Sequence, residues 1–363
     1  MSLALYRRYR PKTFAEISGQ KTIVQTLTNA ILSSRISHAY LFCGQRGTGK
    51  TTIARLLAKS INCTNRKEKE FEPCNTCESC REINEGRSMD LIEIDAASNR
   101  GIDEIRDLKE GIRFSPVKSK YKVFIIDEAH MLTKEAFNAL LKTLEEPPAH
   151  AIFILATTEP EKLPATIVSR TQRFDFKKLN FKEITERLKK LAESEKIKTS
   201  DEALKEIALS AEGSLRDAES LLDQLISLGH NEITLKIIEE AMGRVNFSKV
   251  SQFLEALAQK NSLEGIRLIN NIYENGADLI DFNRMILKNL RRIMLLKISP
   301  EAEASINDEL TKEELEALKK LANKFEAKTI AKLLESFLKT KDEIKYSPIP
   351  TLPLEIIVLE NNS

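Results

Sequence analysis

The stretch GQRGTGKT (44–51) contains three glycines, one lysine and two threonines in eight positions. It fits the pattern G-x-x-x-x-G-K-[ST] of the phosphate-binding P-loop. The apolar run HAYLFC (38–43) precedes this stretch. The segment KTTIARLLAKSI (50–61) begins with the last two residues of the stretch and has apolar residues at helical spacing. Because a P-loop joins a buried strand to a helix, this context favours a P-loop over a surface turn.

The predicted loop has a defined chemistry. Backbone N–H groups of a P-loop and of the following helix N-terminus face phosphate groups, and glycines permit the close approach that a Cβ would block. Lys50 is expected to reach the β- and γ-phosphates of ATP, and the Thr51 hydroxyl is expected to bind Mg²⁺. The other residues expected to line the nucleotide site are Gly44, Gln45, Arg46, Gly47, Thr48, Gly49 and Thr52.

A carboxylate for the metal ion is expected within YKVFIIDEAH (121–130). Asp127 follows a buried-strand run, and ligands bind beyond the carboxyl ends of strands in α/β sheets. We therefore expect Asp127 to share the Mg²⁺ ion with Thr51, and Glu128 to orient the attacking water. The alternative is an ordinary strand end that turns into solvent. His130 completes a DEAH tetrad of the kind found in helicases, or packs and hydrogen-bonds locally.

Further apolar runs predict the rest of a sheet. DLIEID (90–95) and AIFILATT (151–158) alternate with helical segments, which indicates a parallel sheet with helices on both faces. RFDF (173–176) is a candidate for the last strand. AIFILATT ends in Thr157 and Thr158. A hydroxyl at this strand tip could contact the γ-phosphate or the attacking water, although β-branched residues are also common in strands for local reasons.

Four of the five cysteines are closely spaced. Cys63, Cys74, Cys77 and Cys80 read C-x10-C-x2-C-x2-C, a spacing typical of a closed tetrahedral zinc site. The segment 63–80 is polar and almost without apolar residues, so a bound Zn²⁺ ion would have to hold it together. Disulfides and an iron–sulfur cluster are the alternatives. A four-thiolate site has no open coordination position, so the predicted role is structural.

The composition indicates an ordinary globular protein, with 42% hydrophobic and 30% charged residues in 363. No apolar run reaches membrane-spanning length, and the start MSLALYRRYRPK is unlike a secretory signal, so we expect a cytoplasmic protein without a membrane partner. The net charge of +2 does not indicate a nucleic-acid partner, but a near-neutral total can hide basic patches.

After residue 177 the pattern becomes helical. Amphipathic segments predict a compact helical domain at 178–243 and further helices at 244–363. Gly229 is expected to end one of these helices. The last segment, SPIPTLPLEIIVLENNS (347–363), contains three prolines and is not expected to form one continuous helix.

Together these motifs resemble the gamma/tau subunits of the bacterial DNA polymerase III clamp loader, a family of AAA+ ATPases. The resemblance is strong over 1–243 and looser over 244–363. It rests on the cysteine module and on YRRYRPKTFAEISGQ (6–20), HAYLFCGQRGTGKTTIARLLAKSINC (38–63), DLIEIDAASNRGIDEIR (90–106), YKVFIIDEAHMLTKEAFNALLKTLEEPP (121–148), FILATTEPEKLPATIVSR (153–170) and GSLRDAESLLDQ (213–224).

The resemblance implies an α/β + α protein with three domains. These are an AAA+ P-loop parallel-sheet domain with the zinc module (1–177), a helical lid (178–243) and a helical collar for oligomerisation (244–363). It also implies an ATPase within the polymerase holoenzyme, whose enzyme class is DNA-directed DNA polymerase, a nucleotidyltransferase. The implied partners are other loader subunits of a hetero-pentamer, including delta and delta-prime, together with the sliding clamp and primer–template DNA.

The resemblance also implies further site residues. Arg170, in Ser169-Arg170-Thr171, matches the arginine finger that acts on a neighbouring subunit's γ-phosphate, although the family usually has cysteine at position 171. Arg216 matches the sensor-2 arginine, and Thr157 or Thr158, with Thr158 favoured, matches sensor 1. The residues matching the segment near the adenine are Tyr9, Arg10, Pro11 and Gln20.

The implied mechanism is a switch in which ATP binding tightens a spiral of AAA+ domains around an open clamp, and DNA triggers hydrolysis. Asn99, Arg100 and Arg106 are candidate contacts to the DNA backbone. Three rival functions are a DEAH-type helicase, a non-catalytic adaptor that binds DNA through the zinc module, and an AAA+ motor with another substrate. The helicase would need a second motor domain, and the adaptor would not need an intact P-loop.

Overall fold

The structure is a computed structural model that describes residues 4–99, 111–112, 114–229, 232–241, 247–298 and 310–362. The chain forms two compact units, Met1–Thr234 and Leu235–Ser363. The second unit begins near the predicted start of the collar at 244. The predicted boundary between sheet domain and lid, at 177–178, falls inside the first unit, and the three-domain division remains a prediction.

The first unit contains a five-stranded sheet in which every pair of neighbours is parallel. Its order is β2-β3-β4-β1-β5. The predicted parallel sheet is therefore confirmed. The strands are β1 Ala39–Cys43, β2 Leu91–Asp95, β3 Lys122–Asp127, β4 Ala151–Thr157 and β5 Gln172–Asp175.

The strand order decides where a ligand can bind. β4 lies between β1 and β3 in the sheet, so the loops that follow β1 and β3 begin on opposite sides of the end of β4. Cys43 pairs with Thr157, and Asp95 pairs with Asp127, so these strands end at the same edge. The loops after β1, β2 and β3 therefore meet at the carboxyl edge of the sheet.

Both faces of the sheet are covered, because successive apolar residues of a strand point to opposite sides. Phe124 and Ile126 of β3 belong to the hydrophobic cluster on one face, and Val123 and Ile125 belong to the cluster on the other. This explains why β3 is a continuous apolar run rather than an alternating one.

Helices of the first unit flank the sheet or follow it. A short parallel strand pair, Lys198–Thr199 with Glu232–Ile233, lies within the helical part. The helices are Leu5–Arg8, Lys21–Leu32, Lys50–Ile61, Glu78–Glu85, Lys134–Glu145, Ala165–Val168, Phe181–Glu195, Asp201–Ser210 and Leu215–Ser227. The last of these ends before Gly229, whose φ of 79° is the left-handed conformation expected at a helix end.

Where described, the second unit consists of helices, as predicted, and it contains no second strand–helix motor domain in those residues. The aromatic rings of Phe253, Phe282 and Phe337 meet in its core, with centroids 5.1 and 6.3 Å from that of Phe253. The segment after Tyr346 is not one long helix, which confirms that prediction. The helices are Leu235–Ala241, Phe247–Ala258, Ser262–Glu274, Leu279–Ile298, Lys312–Lys324, Ala327–Tyr346 and Leu352–Glu360.

Candidate nucleotide-binding site

The glycine-rich loop joins β1 to the helix Lys50–Ile61, as the sequence predicted. Two of its glycines cannot be replaced without displacing neighbours. A Cβ on Gly44 (φ 148°) would lie 2.6 Å from the Phe176 carbonyl oxygen, and one on Gly47 (φ 78°) would lie 2.0 Å from Ser214 Oγ. The backbone therefore takes a course that only glycine permits at these positions.

Lys50 is buried at the start of the helix, with only 5% of its surface exposed. Its ammonium group donates hydrogen bonds to the carbonyl oxygens of Gly44 (2.6 Å) and Gln45 (3.0 Å). Burial lowers the pKa of Lys50, whereas the carboxylates of Glu128 and Asp127 act in the opposite direction. A buried ammonium bound only to neutral carbonyls would gain energy from a phosphate oxygen in their place.

The two residues predicted to hold the metal ion are in contact. Thr51 Oγ1 donates to Asp127 Oδ2 at 2.7 Å, although the residues are 76 positions apart. The other carboxylate oxygen accepts a hydrogen bond from the Glu128 N–H at 3.0 Å. A hydroxyl and a carboxylate side by side are oxygen ligands of the kind that Mg²⁺ prefers, so these residues fit that ion.

Thr157 and Thr158 have different partners at the tip of β4. Thr158 Oγ1 donates to Glu128 Oε2 at 3.0 Å. Thr157 is fully buried, and its hydroxyl lies 3.0 Å from His130 Nδ1 and accepts from the Glu159 N–H. Thr158 therefore contacts the carboxylate that was predicted to orient water, and His130 has the local hydrogen bonds that were its alternative role.

A cavity of about 420 Å³ opens above the loop. Many of the predicted residues line it together, and the structure adds others that sequence reasoning missed. The predicted lining residues are Arg10, Pro11, Arg46, Gly47, Thr48, Gly49, Lys50, Thr51, Thr52, Asp127, Glu128 and Arg216. The added ones are Tyr6, Ile17, Ser18, Asp95, Ala97, Leu179, Leu215 and Glu219.

The helix Leu215–Ser227, here called the lid helix, closes one side of this cavity. Its first N–H, from Leu215, donates to the Gly47 carbonyl at 3.1 Å. The guanidinium of Arg216 lies 4.6 Å from the centroid of the Tyr6 ring. The lid helix therefore touches the loop directly and places Arg216 in the wall of the cavity, and the sensor-2 role of Arg216 stays a prediction.

Glu219, one turn further along the lid helix, is a buried carboxylate in the cavity wall with 5% exposure. Burial raises its pKa, and the charge of Arg187 at 3.1 Å acts against that rise. Arg187 also donates to the Tyr9 carbonyl oxygen. This pair therefore connects the lid helix to the N-terminal segment.

Several predicted site residues do not line the cavity. The Tyr9 side chain lies outside its lining because its hydroxyl donates to Glu195 Oε1 at 2.5 Å. Gln20 lies behind the loop, where its amide donates to the carbonyls of Thr48 and Lys177. Gly44 and Gln45 also lie outside the lining, but their carbonyls bind Lys50.

Arg170 lies outside the lining of this cavity. Its guanidinium donates to the Thr166 carbonyl at 2.9 Å and to Glu145 Oε1 at 2.6 Å. Thr171, the departure from the family pattern, donates its hydroxyl to the Val168 carbonyl at 3.0 Å. Arg170 is therefore not part of the wall of this cavity, and its action on a neighbouring subunit's nucleotide stays a prediction.

Asn99, of the three candidate DNA contacts, donates its side-chain amide to the Asp95 carbonyl at 3.0 Å. Arg100 and Arg106 lie outside the described residues.

None of the helices formed by the described residues combines the length and apolar character that a bilayer crossing needs.

Comparison with known proteins identifies the family. The chain is 37% identical to the DNA polymerase III gamma subunit of Buchnera aphidicola subsp. Acyrthosiphon pisum, over 98% of this chain and 97% of that protein. The chain belongs to the DNA polymerase III gamma/tau family. It is also 41% identical to the tau subunit of Bacillus subtilis over 98% of its own length, but it spans only 62% of that longer relative.

Three family models match successive parts of this gamma/tau-family chain. They are described as DNA polymerase III, delta subunit (19–180), DNA polymerase III clamp loader subunit, ATPase lid domain (183–231), and DNA polymerase III subunits gamma and tau domain III (233–361). A solved Bacillus subtilis clamp loader delta protein covers 93% of this chain and 99% of its own length, with 16% identity and a TM-score of 0.40. None of these matches supports nucleotidyltransferase activity for this chain.

The four clustered cysteines of the gamma/tau-family chain converge in space. Their sulfur atoms all lie within 4.8 Å of one another, with Cys63 and Cys77 at 3.9 Å and Cys74 and Cys80 at 4.0 Å. A tetrahedral zinc ion with Zn–S bonds of about 2.3 Å requires sulfurs roughly 3.8 Å apart. The four thiols therefore fit a zinc ion.

Backbone N–H groups donate to two of these sulfurs and lower the pKa values of Cys74 and Cys77. Cys74 Sγ accepts N–H bonds from Thr76 (3.4 Å) and Cys77 (3.2 Å), and Cys80 donates its N–H to Cys77 Sγ. Burial raises the pKa of Cys74, but hydrogen bonds from the Thr76 hydroxyl and from these N–H groups outweigh it and lower the pKa to about 6. Burial raises the pKa values of Cys63 and Cys80. Thiolates are the form that binds zinc.

Proposed function

We propose that this chain is an ATPase subunit of a DNA polymerase III clamp loader. In this proposal it uses ATP binding and hydrolysis to open a sliding clamp and load it onto primer–template DNA. The observation that carries the proposal is that Lys50, Thr51, Asp127 and Glu128 line one cavity under the lid helix. The family membership supports the nucleotide and the assembly with other loader subunits, and the finer roles below rest on geometry and on the family pattern.

Contacts in and beside the cavity, together with the family pattern, support the following catalytic roles. Lys50 exchanges its carbonyl partners for phosphate oxygens. Thr51 and Asp127 would hold Mg²⁺, which supplies positive charge against the triphosphate. Glu128 orients the attacking water, and Thr158, which donates to Glu128 at 3.0 Å, positions that carboxylate as sensor 1. Arg216 senses the nucleotide from the lid helix.

The remaining roles concern assembly. Arg170 acts in trans, because it lies outside the lining of its own chain's cavity. The helical domain 244–363 forms the collar of a hetero-pentamer with delta and delta-prime, and 178–243 is the lid. The longer tau relatives contain sequence beyond what this chain covers, so we assign it only the motor role.

Assembly-dependent hydrolysis tests this function. We expect the isolated chain to bind ATP and Mg²⁺ but to hydrolyse ATP slowly, because the trans arginine is missing from its site. Addition of delta, delta-prime, clamp and primed DNA is expected to raise turnover by about a hundredfold or more. Turnover is measured by phosphate release, with unprimed duplex as the control. Full activity of the isolated chain would contradict the assembly model.

We further propose that Cys63, Cys74, Cys77 and Cys80 hold a structural Zn²⁺ ion. Protein purified without added metal is expected to contain about one zinc ion per chain by elemental analysis. Cys77→Ser should lose that zinc and expose the segment 63–80 to protease, because this segment has few apolar contacts of its own. Cys43→Ala, which removes a cysteine outside the cluster, should retain it. A folded protein without metal, or one with iron in place of zinc, would refute the assignment.

A further inference from the structure

A second concave site lies beside the nucleotide cavity. This groove has a volume of about 810 Å³. It is formed by the N-terminal segment 7–12, the helix Lys50–Ile61 and the region 75–86, which overlaps the end of the cysteine segment 63–80. Five arginines and two lysines line it, against one carboxylate, that of Glu85. Such an excess of one charge in a concavity focuses a positive field that attracts anions.

Carboxylates within the groove do not balance these cations. Arg8 and Arg55 form ion pairs with Glu195 (2.6 Å) and Glu93 (2.5 Å), neither of which lines the groove. Among the described residues, no ion pair links Arg10, Lys12 or Arg81 to a carboxylate. Glu85 itself pairs with Arg87, which is outside the lining. The groove therefore retains a net positive charge.

Two nitrogen donors of the groove, Lys59 Nζ and Arg55 Nε, are buried and not bound to a carboxylate, although Nη2 of Arg55 pairs with Glu93. Lys59 is 3% exposed, and its ammonium is bound by the neutral amide oxygens of Asn75 (2.7 Å) and Asn84 (2.9 Å). The Nε of Arg55 is buried and has no hydrogen-bond partner within the described part of the chain. Burial lowers the pKa of Arg10, and the nearby charge of Arg55 lowers it further. An unsatisfied buried donor is costly, and an anion would satisfy it.

We propose that this groove binds the phosphodiester backbone of a single nucleic acid strand, without sequence preference. Arginine presents a planar fork of donors that matches a phosphate group, and five of the seven cations are arginines. Among the residues that the structure describes, no aromatic side chain lines the groove, so these residues offer bases no platform on which to stack. Contacts confined to phosphates carry no sequence information.

An acidic peptide is the competing ligand, and the lining disfavours it. Peptides and protein partners gain most of their affinity from apolar or aromatic anchors in pockets. The groove offers only Pro11, Leu56 and Ile83 as apolar lining residues. A nucleic acid strand needs no such anchor, because it brings one negative charge with every nucleotide.

Fluorescence anisotropy with a labelled deoxythymidine 20-mer tests the proposal on the full zinc-containing chain. The charge-reversal variant Lys12→Glu/Arg81→Glu should bind at least about tenfold more weakly at moderate salt. The slope of log K against log salt concentration should fall by about 0.7 for each phosphate that the variant no longer neutralises. Lys205→Glu, which reverses an exposed lysine of the helix Asp201–Ser210, should leave binding and slope unchanged.

The outcomes that would overturn the proposal are distinct. In the first, the unmodified chain does not bind the 20-mer. In the second, the groove variant and the control variant weaken 20-mer binding equally. In the third, the groove variant loses poly-glutamate binding while its 20-mer binding persists. The last result would assign the groove to an acidic peptide. If the double variant misfolds, as circular dichroism would show, Arg81→Gln provides the same comparison. The measurement needs no ATP hydrolysis, so its outcome does not depend on the proposed ATPase function.

Discussion

Replacement of Lys50 by alanine is expected to abolish ATP hydrolysis in the assembled loader and to weaken ATP binding by about a hundredfold or more. The ammonium group is buried in the loop and bound to two carbonyl oxygens, so it is held at the position that a triphosphate must occupy. Without it, the cavity loses the cation that meets the phosphates directly. Isothermal calorimetry with ATP and Mg²⁺ measures the binding, and phosphate release measures the hydrolysis.

The control for this variant is Lys205→Ala, which removes an exposed lysine distant from the loop in sequence. It should bind and hydrolyse ATP like the unmodified chain. A thermal melt of Lys50→Ala without nucleotide separates loss of binding from loss of folding, because the ammonium group contacts only loop carbonyls and the change in melting temperature should be small. If Lys50→Ala bound ATP with unchanged affinity, the loop 44–51 would not be a nucleotide site.

The core of the site was predictable because it depends on rules that act along the sequence. The P-loop pattern identifies Lys50 and Thr51 locally. The contact between Thr51 and Asp127 spans 76 positions, yet it follows from the general rule that parallel strands end at one edge of a sheet. The central strands β1, β3 and β4 could be recognised as apolar runs bounded by polar residues, whereas β5, with the sequence QRFD, is not such a run. The sequence therefore sufficed to bring together the residues that are proposed to bind phosphate and metal.

The walls of the cavity were not predictable in the same way. Tyr6, Leu179 and Glu219 line it, but no local pattern distinguishes them from other residues of their segments. They come from the N-terminal segment, the start of the helical region and the lid helix, which meet only after the chain folds. Tyr9 was expected near the adenine from the family pattern, but its hydroxyl is taken by Glu195 while Tyr6 faces the cavity.

The positive charge of the basic groove was likewise not predictable from the sequence. A net charge of +2 over the whole chain does not indicate an anion site. The cations that form the groove come from three separated segments, 7–12, 55–59 and 81, and acidic residues elsewhere balance them in the total. Only the folded arrangement shows that these positive charges face one concavity, while several of their carboxylate partners lie outside it.

Replacement of Arg170 by alanine is expected to leave ATP binding by the isolated chain unchanged and to lower the turnover of the assembled loader by about a thousandfold. The guanidinium is held at the surface by Glu145 and the Thr166 carbonyl, outside the lining of its own cavity, and we propose that it acts on a neighbour's nucleotide. Arg173→Ala is the matched control, because it removes another exposed arginine, on β5, whose partner is Asp175.

A mixing experiment separates action in trans from a general loss of activity. Chains with Lys50→Ala lack a working nucleotide site but retain Arg170, whereas chains with Arg170→Ala retain the site but lack the arginine. Loaders assembled from both should regain part of the turnover, because some interfaces then place an intact site against an intact arginine. Loaders assembled from either variant alone should remain inactive. If the mixture were also inactive while both variants assembled normally, Arg170 would act within its own chain or serve only the interface.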